Sequence, residues 1–236
     1  MNKLLVVTGG TKGIGLALVE KFASEGLDII TCSRNSKELK LLKSVIEAKH
    51  KTIQLYTFKA DLSKKEETMA FASFIKDQKR PVELLINNTG IYLPGQIHKE
   101  KSGVLEEMIN TNLYSAYHLS RALIPGMIKK KQGYIFNICS TASIVPYING
   151  GSYCISKYAL LGMTKVLREE LKEYNIKVTA VLPGATKTAS WAGTDLPDER
   201  FIKPMDVAES IYSVYKLSAN TVVEEILIRP QVGDIV

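Results

Sequence analysis

Tyr153 and Lys157 stand four residues apart in Tyr153-Cys154-Ile155-Ser156-Lys157. On a helix this spacing puts both side chains on one face, a turn apart. A phenol with its ordinary pKa of about 10 is a poor acid or base at neutral pH. A nearby ammonium favours the phenolate and draws that pKa down. The pair could therefore move a proton as one acid–base unit. Spacing alone does not make the case, because Tyr and Lys meet at i and i+4 on many helix surfaces.

A second constellation lies near the N-terminus. Thr8-Gly9-Gly10-Thr11-Lys12-Gly13-Ile14-Gly15 sits between the apolar run Leu4–Val7 and a helical period at Ile14, Leu18 and Phe22. Glycines at a strand-to-helix turn let the backbone approach a pyrophosphate, which the helix N-terminus attracts. The spacing is Gly9-x-x-x-Gly13-x-Gly15 rather than the usual G-x-G-x-x-G. An acidic residue roughly 20 positions further on would accept the ribose hydroxyls of NAD. Here Ser33, Arg34 and Asn35 occupy that place, with no carboxylate. A guanidinium at Arg34 suits a 2′-phosphate, with the Ser33 hydroxyl and Lys12 in support. The alternative is two ordinary surface cations. The missing acid favours NADP(H). Asp61, followed by Leu62, could hydrogen-bond the adenine amine or cap a helix.

These residues need rigid elements to hold them, and the hydrophobic pattern supplies a strand and a helix in alternation. Strands are expected at Leu4–Val7, Asp28–Cys32, Thr52–Phe58, Val82–Ile86, Tyr134–Ile138, Lys177–Leu182 and Val222–Ile228. Helices are expected around Leu39–Ile46, Met69–Ile75, Val104–Lys131, Ser152–Tyr174 and Met205–Leu217. Seven apolar strands with intervening helices imply an α/β fold: a doubly wound, Rossmann-type parallel sheet with helices on both faces. No repeat or linker interrupts the chain, so residues 1–236 are read as one domain. Its cofactor half covers about 1–90, and its catalytic and substrate half about 91–236.

The ordered set of motifs is wider than the two constellations. It adds Asn87-Asn88-Thr89-Gly90, Asn110-Thr111-Asn112, Ser140 thirteen residues before Tyr153, and Pro183-Gly184 after a strand. Together they resemble the short-chain dehydrogenase/reductase family along essentially the whole chain. By that resemblance Asn112, Ser140, Tyr153 and Lys157 form the catalytic tetrad. Hydride would pass from NADPH to a substrate carbonyl while Ser140 and Tyr153 donate to the developing oxyanion and Tyr153 supplies the proton. Lys157 would lower the Tyr153 pKa and hold the nicotinamide ribose, and Asn112 would hold a water that refills the proton. Asn88 and Gly90 match the turn beside the cofactor. Pro183, Gly184, Thr186 and Thr188 match the segment on its nicotinamide side. Thr89 departs from the family's usual alanine.

The segment Pro183–Trp191 and the ending Val222–Pro230 with Gly233-Asp234-Ile235 resemble the bacterial sepiapterin reductase branch. That resemblance implies reduction of a pterin side-chain ketone or an α-dicarbonyl compound. Trp191, the only tryptophan, reads equally as a loop anchor and as a platform for a planar heterocycle. Ile91, Tyr92, Leu93 and Tyr147 would line the rest of an apolar pocket. Asp198 and Asp234 are the acids available to polar ring nitrogens. The alternatives are a 3-oxoacyl or 3-hydroxy-acid reductase of the same family and, in another class, a non-catalytic NADPH-binding regulator. The complete tetrad argues against the regulator.

Composition narrows the partners. With 31 Lys+Arg against 24 Asp+Glu, the net charge is +7, which leaves nucleic acid, anionic membranes and phosphorylated ligands open. No basic face carries interleaved aromatics, so nucleic acid is not expected. The longest stretch free of Asp, Glu, Lys and Arg, Gln132–Ser156, is broken by Pro146, Gly150 and Gly151 and reads as buried in protein rather than in lipid. The basic balance therefore points to one small anion. Lys129-Lys130-Lys131 reads as a solvated helix end. His50, His98 and His118 lack metal-ligand spacing, so no metal site is expected. Cys32, Cys139 and Cys154, an odd number without a CxxC pair, suggest a reducing compartment. The N-terminal apolar run is too short for a signal or anchor, so a cytoplasmic location is expected. The resemblance further implies a homodimer or homotetramer built on the helices near Val104–Lys131 and Ser152–Tyr174, with Leu113, Tyr117 and Leu161 compatible with that contact.

Overall fold

A computed structural model describes residues 2–191 and 193–235. The chain alternates as expected: β1 (Leu4–Thr8), α1 (Gly13–Ser24), β2 (Asp28–Ser33), α2 (Ser36–Lys49), β3 (Leu55–Lys59), α3 (Lys65–Asp77), β4 (Leu84–Asn87), α4 (Val104–Met108), α5 (Ser115–Lys130), β5 (Gly133–Ile138), α6 (Gly151–Leu171), β6 (Ile176–Pro183), α7 (Pro204–Tyr215) and β7 (Glu225–Ile228). The seven strands form one sheet in the order β3-β2-β1-β4-β5-β6-β7. Every pairing is parallel. This is the doubly wound architecture that the pattern implied.

Parallel strands covered on both faces should be apolar without alternation, and β1 is buried at every position. On one face Leu18 and Phe22 of α1, Leu42 and Ile46 of α2, and Val207 and Ile211 of α7 pack against Leu5, Val7 and Ile29. On the other, Phe71 and Ile75 of α3 and Leu119 and Leu123 of α5 pack against Leu4, Val6 and Ile30. Alternate residues of one strand thus feed opposite cores. Leu160 and Leu161 of α6 add a smaller cluster with Ala180 and Leu182 on β6. Leu161 is only 6% exposed. It packs toward the sheet, so it is not free for the subunit contact suggested above; Tyr117, 40% exposed, is.

Three elements depart from expectation. β3 starts at Leu55 rather than Thr52, because Ile53 is buried in the core without pairing to a neighbouring strand. β7 is shorter, Glu225–Ile228, and pairs only along Ala180–Pro183. The helical region expected over Val104–Lys131 runs from Val104 to Lys130 but is not α throughout: between α4 and α5, residues Ile109–Tyr114 form a π-helical segment. Such wide turns re-aim a side chain, and the side chain in question is Asn112.

The order of strands reverses between β1 and β4. Ligands of open α/β sheets bind outside the carboxyl ends of the strands at that switch point. The predicted site residues all sit there or beside it. Gly9 follows β1, Arg34 follows β2, Asp61 lies just past β3, Asn88 follows β4, Ser140 lies just past β5 and Gly184 follows β6.

Candidate active site

The glycine turn is built for close approach. Gly9 and Gly13 have φ of +70° and +53°, which other residues rarely adopt. A Cβ on Gly15 would lie 2.1 Å from the Gly9 carbonyl oxygen, so only glycine lets α1 begin this close to the turn. Thr31 fixes the loop from beneath, accepting from Gly10 N at 3.1 Å and donating to the Val7 carbonyl at 2.8 Å. Thr8 Oγ1 accepts from the backbone N–H groups of Asn88 and Thr89, both at 2.9 Å. Asn88 Nδ2 donates to the Thr8 carbonyl at 2.8 Å. Thr8 and Thr31 were missed as turn supports, since a strand threonine carries no spacing signal.

The N-terminus of α1 has no side-chain cap and no acidic residue in its first turn. Its free N–H groups and positive dipole end therefore face the glycine turn with room for an anion. This arrangement fits a pyrophosphate. Thr188 Cγ2 would stand 3.0 Å from a Cβ on Gly13, which brings the segment after β6 up to the same turn. Ile14 reaches across to the cavity described below.

At the end of β2, Ser33 Oγ accepts from Thr11 Oγ1 at 3.2 Å. Asn35 caps α2, its Oδ1 accepting from Lys37 N and Glu38 N at 3.0 and 3.3 Å. Arg34 is exposed. Lys12 lies on Glu38, Nζ to Oε1 at 2.9 Å. Asp61 accepts from Ser63 N and Ser63 Oγ at 3.1 and 2.8 Å. Burial opposes its ionisation, but the Ser63 bonds and the Arg34 charge hold its carboxyl below the ordinary range. It closes a local turn and is not the cap of α3, whose N-cap position is Lys64. Leu62 is buried, only 4% exposed, so its side chain belongs to the core.

Beyond β4 and β5 lies a cavity of about 460 Å³. Ser140, Tyr153 and Lys157 share its wall with Asn88, Gly90, Tyr92, Tyr147, Pro183, Gly184, Thr186, Thr188 and Trp191. Residues 93 apart in sequence, 91 and 184 for example, thus meet in one space. Leu93 is not on its lining; Val145, Ser190 and Ile235 are. Ser190 and Ile235 lie in the two segments that carried the branch resemblance, whereas Val145 carried no signal in the sequence. Tyr92 packs edge-on against Tyr153, centroids 4.9 Å apart. Trp191 packs edge-on against Phe201 at 5.1 Å while also lining the cavity, so anchor and wall are one side chain.

Asn112 does not line the cavity. It is completely buried. Its Oδ1 accepts from Ile91 N at 2.7 Å, and its Nδ2 donates to the Ile91 carbonyl at 3.0 Å and to Ser156 Oγ at 2.9 Å. It therefore clamps the loop after β4 onto α6. A Cβ on Gly90 would lie 3.2 Å from its Oδ1 and 3.5 Å from Lys157 Nζ. Ser156, hidden inside the Tyr-x-x-x-Lys spacing, was missed. So was Glu100, which accepts from Ser152 N at 2.9 Å and from the Ser152 hydroxyl and so caps α6 from another loop.

Lys157 and Tyr153 lie on one helix face as expected, with Nζ 5.8 Å from the ring centroid. The expected direction of the Tyr153 shift is not met. Burial pushes its phenol up to about 12, with the Ser140 hydroxyl opposing. Burial brings Lys157 down to about 8, with Cys139 opposing. The ammonium donates to the Ile138 carbonyl at 2.9 Å, and desolvation outweighs its pull on the phenol. At neutral pH the phenol keeps its proton. Cys139 and Cys154 are buried, and burial raises both thiols, which suits packing.

Residues 3–198 match the family model of the short chain dehydrogenases. The chain is 29% identical over 245 residues to a sepiapterin reductase of Chlorobaculum tepidum, covering 100% of this chain and 99% of that one. It is 30% identical over 210 residues to a diacetyl reductase, (S)-acetoin forming, of Staphylococcus epidermidis, covering 89% of this chain and 80% of the relative. A crystal structure of a metagenomic short-chain oxidoreductase in complex with NADP superposes with a TM-score of 0.84 at 29% identity, covering 97% of each chain. The protein belongs to the short chain dehydrogenase family and is an oxidoreductase. Among the described residues no helix is long and apolar enough to cross a membrane.

Proposed function

We propose that this protein is an NADPH-dependent carbonyl reductase of sepiapterin reductase type, acting on a pterin side-chain ketone or an α-dicarbonyl compound. One observation carries the reading: Ser140, Tyr153 and Lys157 meet on the wall of a cavity that Asp234 also lines. Asp234 Oδ2 is held by Arg229 Nε at 2.9 Å. Its Oδ1 is buried with no hydrogen-bond partner, and Asp234 lines the cavity. A buried acceptor of this kind calls for a donor, and a heterocycle bearing N–H groups supplies one. A carboxylate-bearing 3-oxo acid would instead meet like charge.

The cofactor, when bound, supplies hydride from its nicotinamide. Gly9, Thr11, Gly13, Ile14 and Gly15 form its pyrophosphate turn. Lys12, Ser33, Arg34 and Asn35 form the 2′-phosphate corner, with Asp61 and Leu62 beside the adenine. Asn88, Gly90, Pro183, Gly184, Thr186 and Thr188 flank the nicotinamide side. Ser140 and Tyr153 donate to the carbonyl oxygen, and Tyr153 gives up its proton. Lys157 keeps a positive charge under the ring. Asn112 acts by holding the Ile91 loop against α6. Tyr147 and Trp191 frame the substrate. The NADP-bound relative and the cation pair Lys12 and Arg34 support this choice of cofactor.

Exposed Tyr114, Tyr117, Ile155, Tyr158 and Val166 on and beside α5 and α6 support assembly as a homodimer or homotetramer. The three free cysteines without a pairing motif support a reducing, cytoplasmic setting. The decisive experiment is NADPH oxidation with sepiapterin, diacetyl and an acetoacetyl ester. Turnover of the first two over the ester supports the reading; preference for the ester overturns the substrate class, and NADH used as well as NADPH overturns the cofactor.

A further inference from the structure

The corner that offers Lys12 and Arg34 to a 2′-phosphate also holds an acid. Glu38 Oε1 lies 2.9 Å from Lys12 Nζ and accepts from Asn35 Nδ2 at 2.9 Å. The backbone N–H of Glu38 is held by Asn35 Oδ1 at 3.3 Å. Glu38 stands in the first turn of α2, where the helix dipole favours a negative charge. Its side chain is 29% exposed against 68% for Lys12, so the carboxylate is the fixed partner and the lysine the mobile one.

A phosphate monoester brings a charge of about −1.5 to −2 to such a corner. Lys12 and Arg34 offer two positive charges, and Glu38 cancels one of them. Exposed ion pairs are weak, so Lys12 can leave Glu38 for a stronger anion. The carboxylate, tied to Asn35 through its side chain and its backbone N–H, does not leave with it and remains beside the phosphate.

We propose that Glu38 is a resident stand-in for the 2′-phosphate: it holds Lys12 before the cofactor arrives, competes with the phosphate afterwards, and so sets the margin between NADPH and NADH. This rests on the NADP(H) reading above. Removing the acid strengthens NADPH binding and leaves NADH, which has no 2′-phosphate, nearly unchanged.

The test is calorimetric titration of the intact protein with NADPH and NADH, in low and high salt, for the parent, Glu38→Gln, Lys12→Met and the double variant. Glu38→Gln is expected to tighten NADPH by about three- to five-fold at low salt, with NADH within about two-fold. The gain shrinks in high salt and disappears in the Lys12→Met background. Unchanged or weaker NADPH binding, equal tightening of both cofactors, or a gain that survives without Lys12 overturns the role of Glu38. A parent protein that binds NADH more tightly than NADPH overturns the cofactor reading itself, and Glu38 with it. A parent that prefers NADPH with a silent Glu38→Gln overturns Glu38 alone.

Discussion

Lys157 Nζ donates to the main-chain carbonyl of Ile138 across 2.9 Å, which ties the ammonium of α6 to the end of β5 rather than to the phenol of Tyr153. The charge is therefore held under the tyrosine ring by backbone and not by its supposed acid–base partner. Both groups are shifted mainly by burial, in opposite senses.

That shift has a folding signature. Lys157 titrates at about 8 in the folded chain against an ordinary 10.5. Between those values the unfolded chain keeps a proton that the folded chain has released, so stability rises with pH across the window. Lys157→Met has no such term. Its stability relative to the parent is expected to fall by about 3 kcal/mol between pH 7.5 and pH 10.5. Urea midpoints of both proteins at the two pH values check this, and a constant difference counts against a buried, depressed lysine.

Tyr153→Phe removes the proton donor but keeps the ring packed on Tyr92. Reductase turnover is expected to fall by about 10²- to 10⁴-fold, with the dissociation constant for NADPH within about two-fold. Single-turnover kinetics and a binding titration give the two numbers. Substantial residual turnover would remove Tyr153 from the mechanism.

Asn112→Leu deprives both polar groups of Ile91 of their partner, while the Ser156 hydroxyl keeps its bond to the Tyr153 carbonyl. Orphaning these groups is expected to cost about 2–3 kcal/mol of stability, read from urea unfolding. Activity should fall as well, because the loop carrying Gly90 loses its clamp on α6. A loss of activity without any loss of stability would assign Asn112 a direct role in the chemistry instead.

Asp234→Asn keeps the shape of the C-terminal strap but removes the charge from the cavity. The KM for sepiapterin is expected to rise about ten- to a hundred-fold, while that for diacetyl, which has no N–H donor, stays nearly constant. Parallel shifts for both substrates would make Asp234 a structural residue only.

Much of the fold was legible because a doubly covered parallel sheet writes itself as short apolar runs. Leu4–Thr8 and Leu84–Asn87 are buried at every position. The site was legible where chemistry demands a residue type at a fixed local spacing. Gly9, Gly13 and Gly15 serve one turn, and Tyr153 and Lys157 one helix face. Its supports were not. Ser156, Thr31 and Glu100 matter through partners 44, 24 and 52 residues away, and nothing local marks them.

By itself the sequence determined the alternation of strand and helix, the glycine turn, the absence of an acid after β2 and the tyrosine–lysine pair, since each depends on near neighbours. Only the tertiary structure decided what surrounds them. It put Glu38 on Lys12, widened the long helix by a π segment at Asn112, which clamps Ile91, and desolvated the Tyr153 phenol enough to raise it rather than lower it. The reason is physical: burial, ion pairing and hydrogen-bond completion depend on distances in space. The folded sheet sets those distances by bringing the carboxyl ends of its strands together.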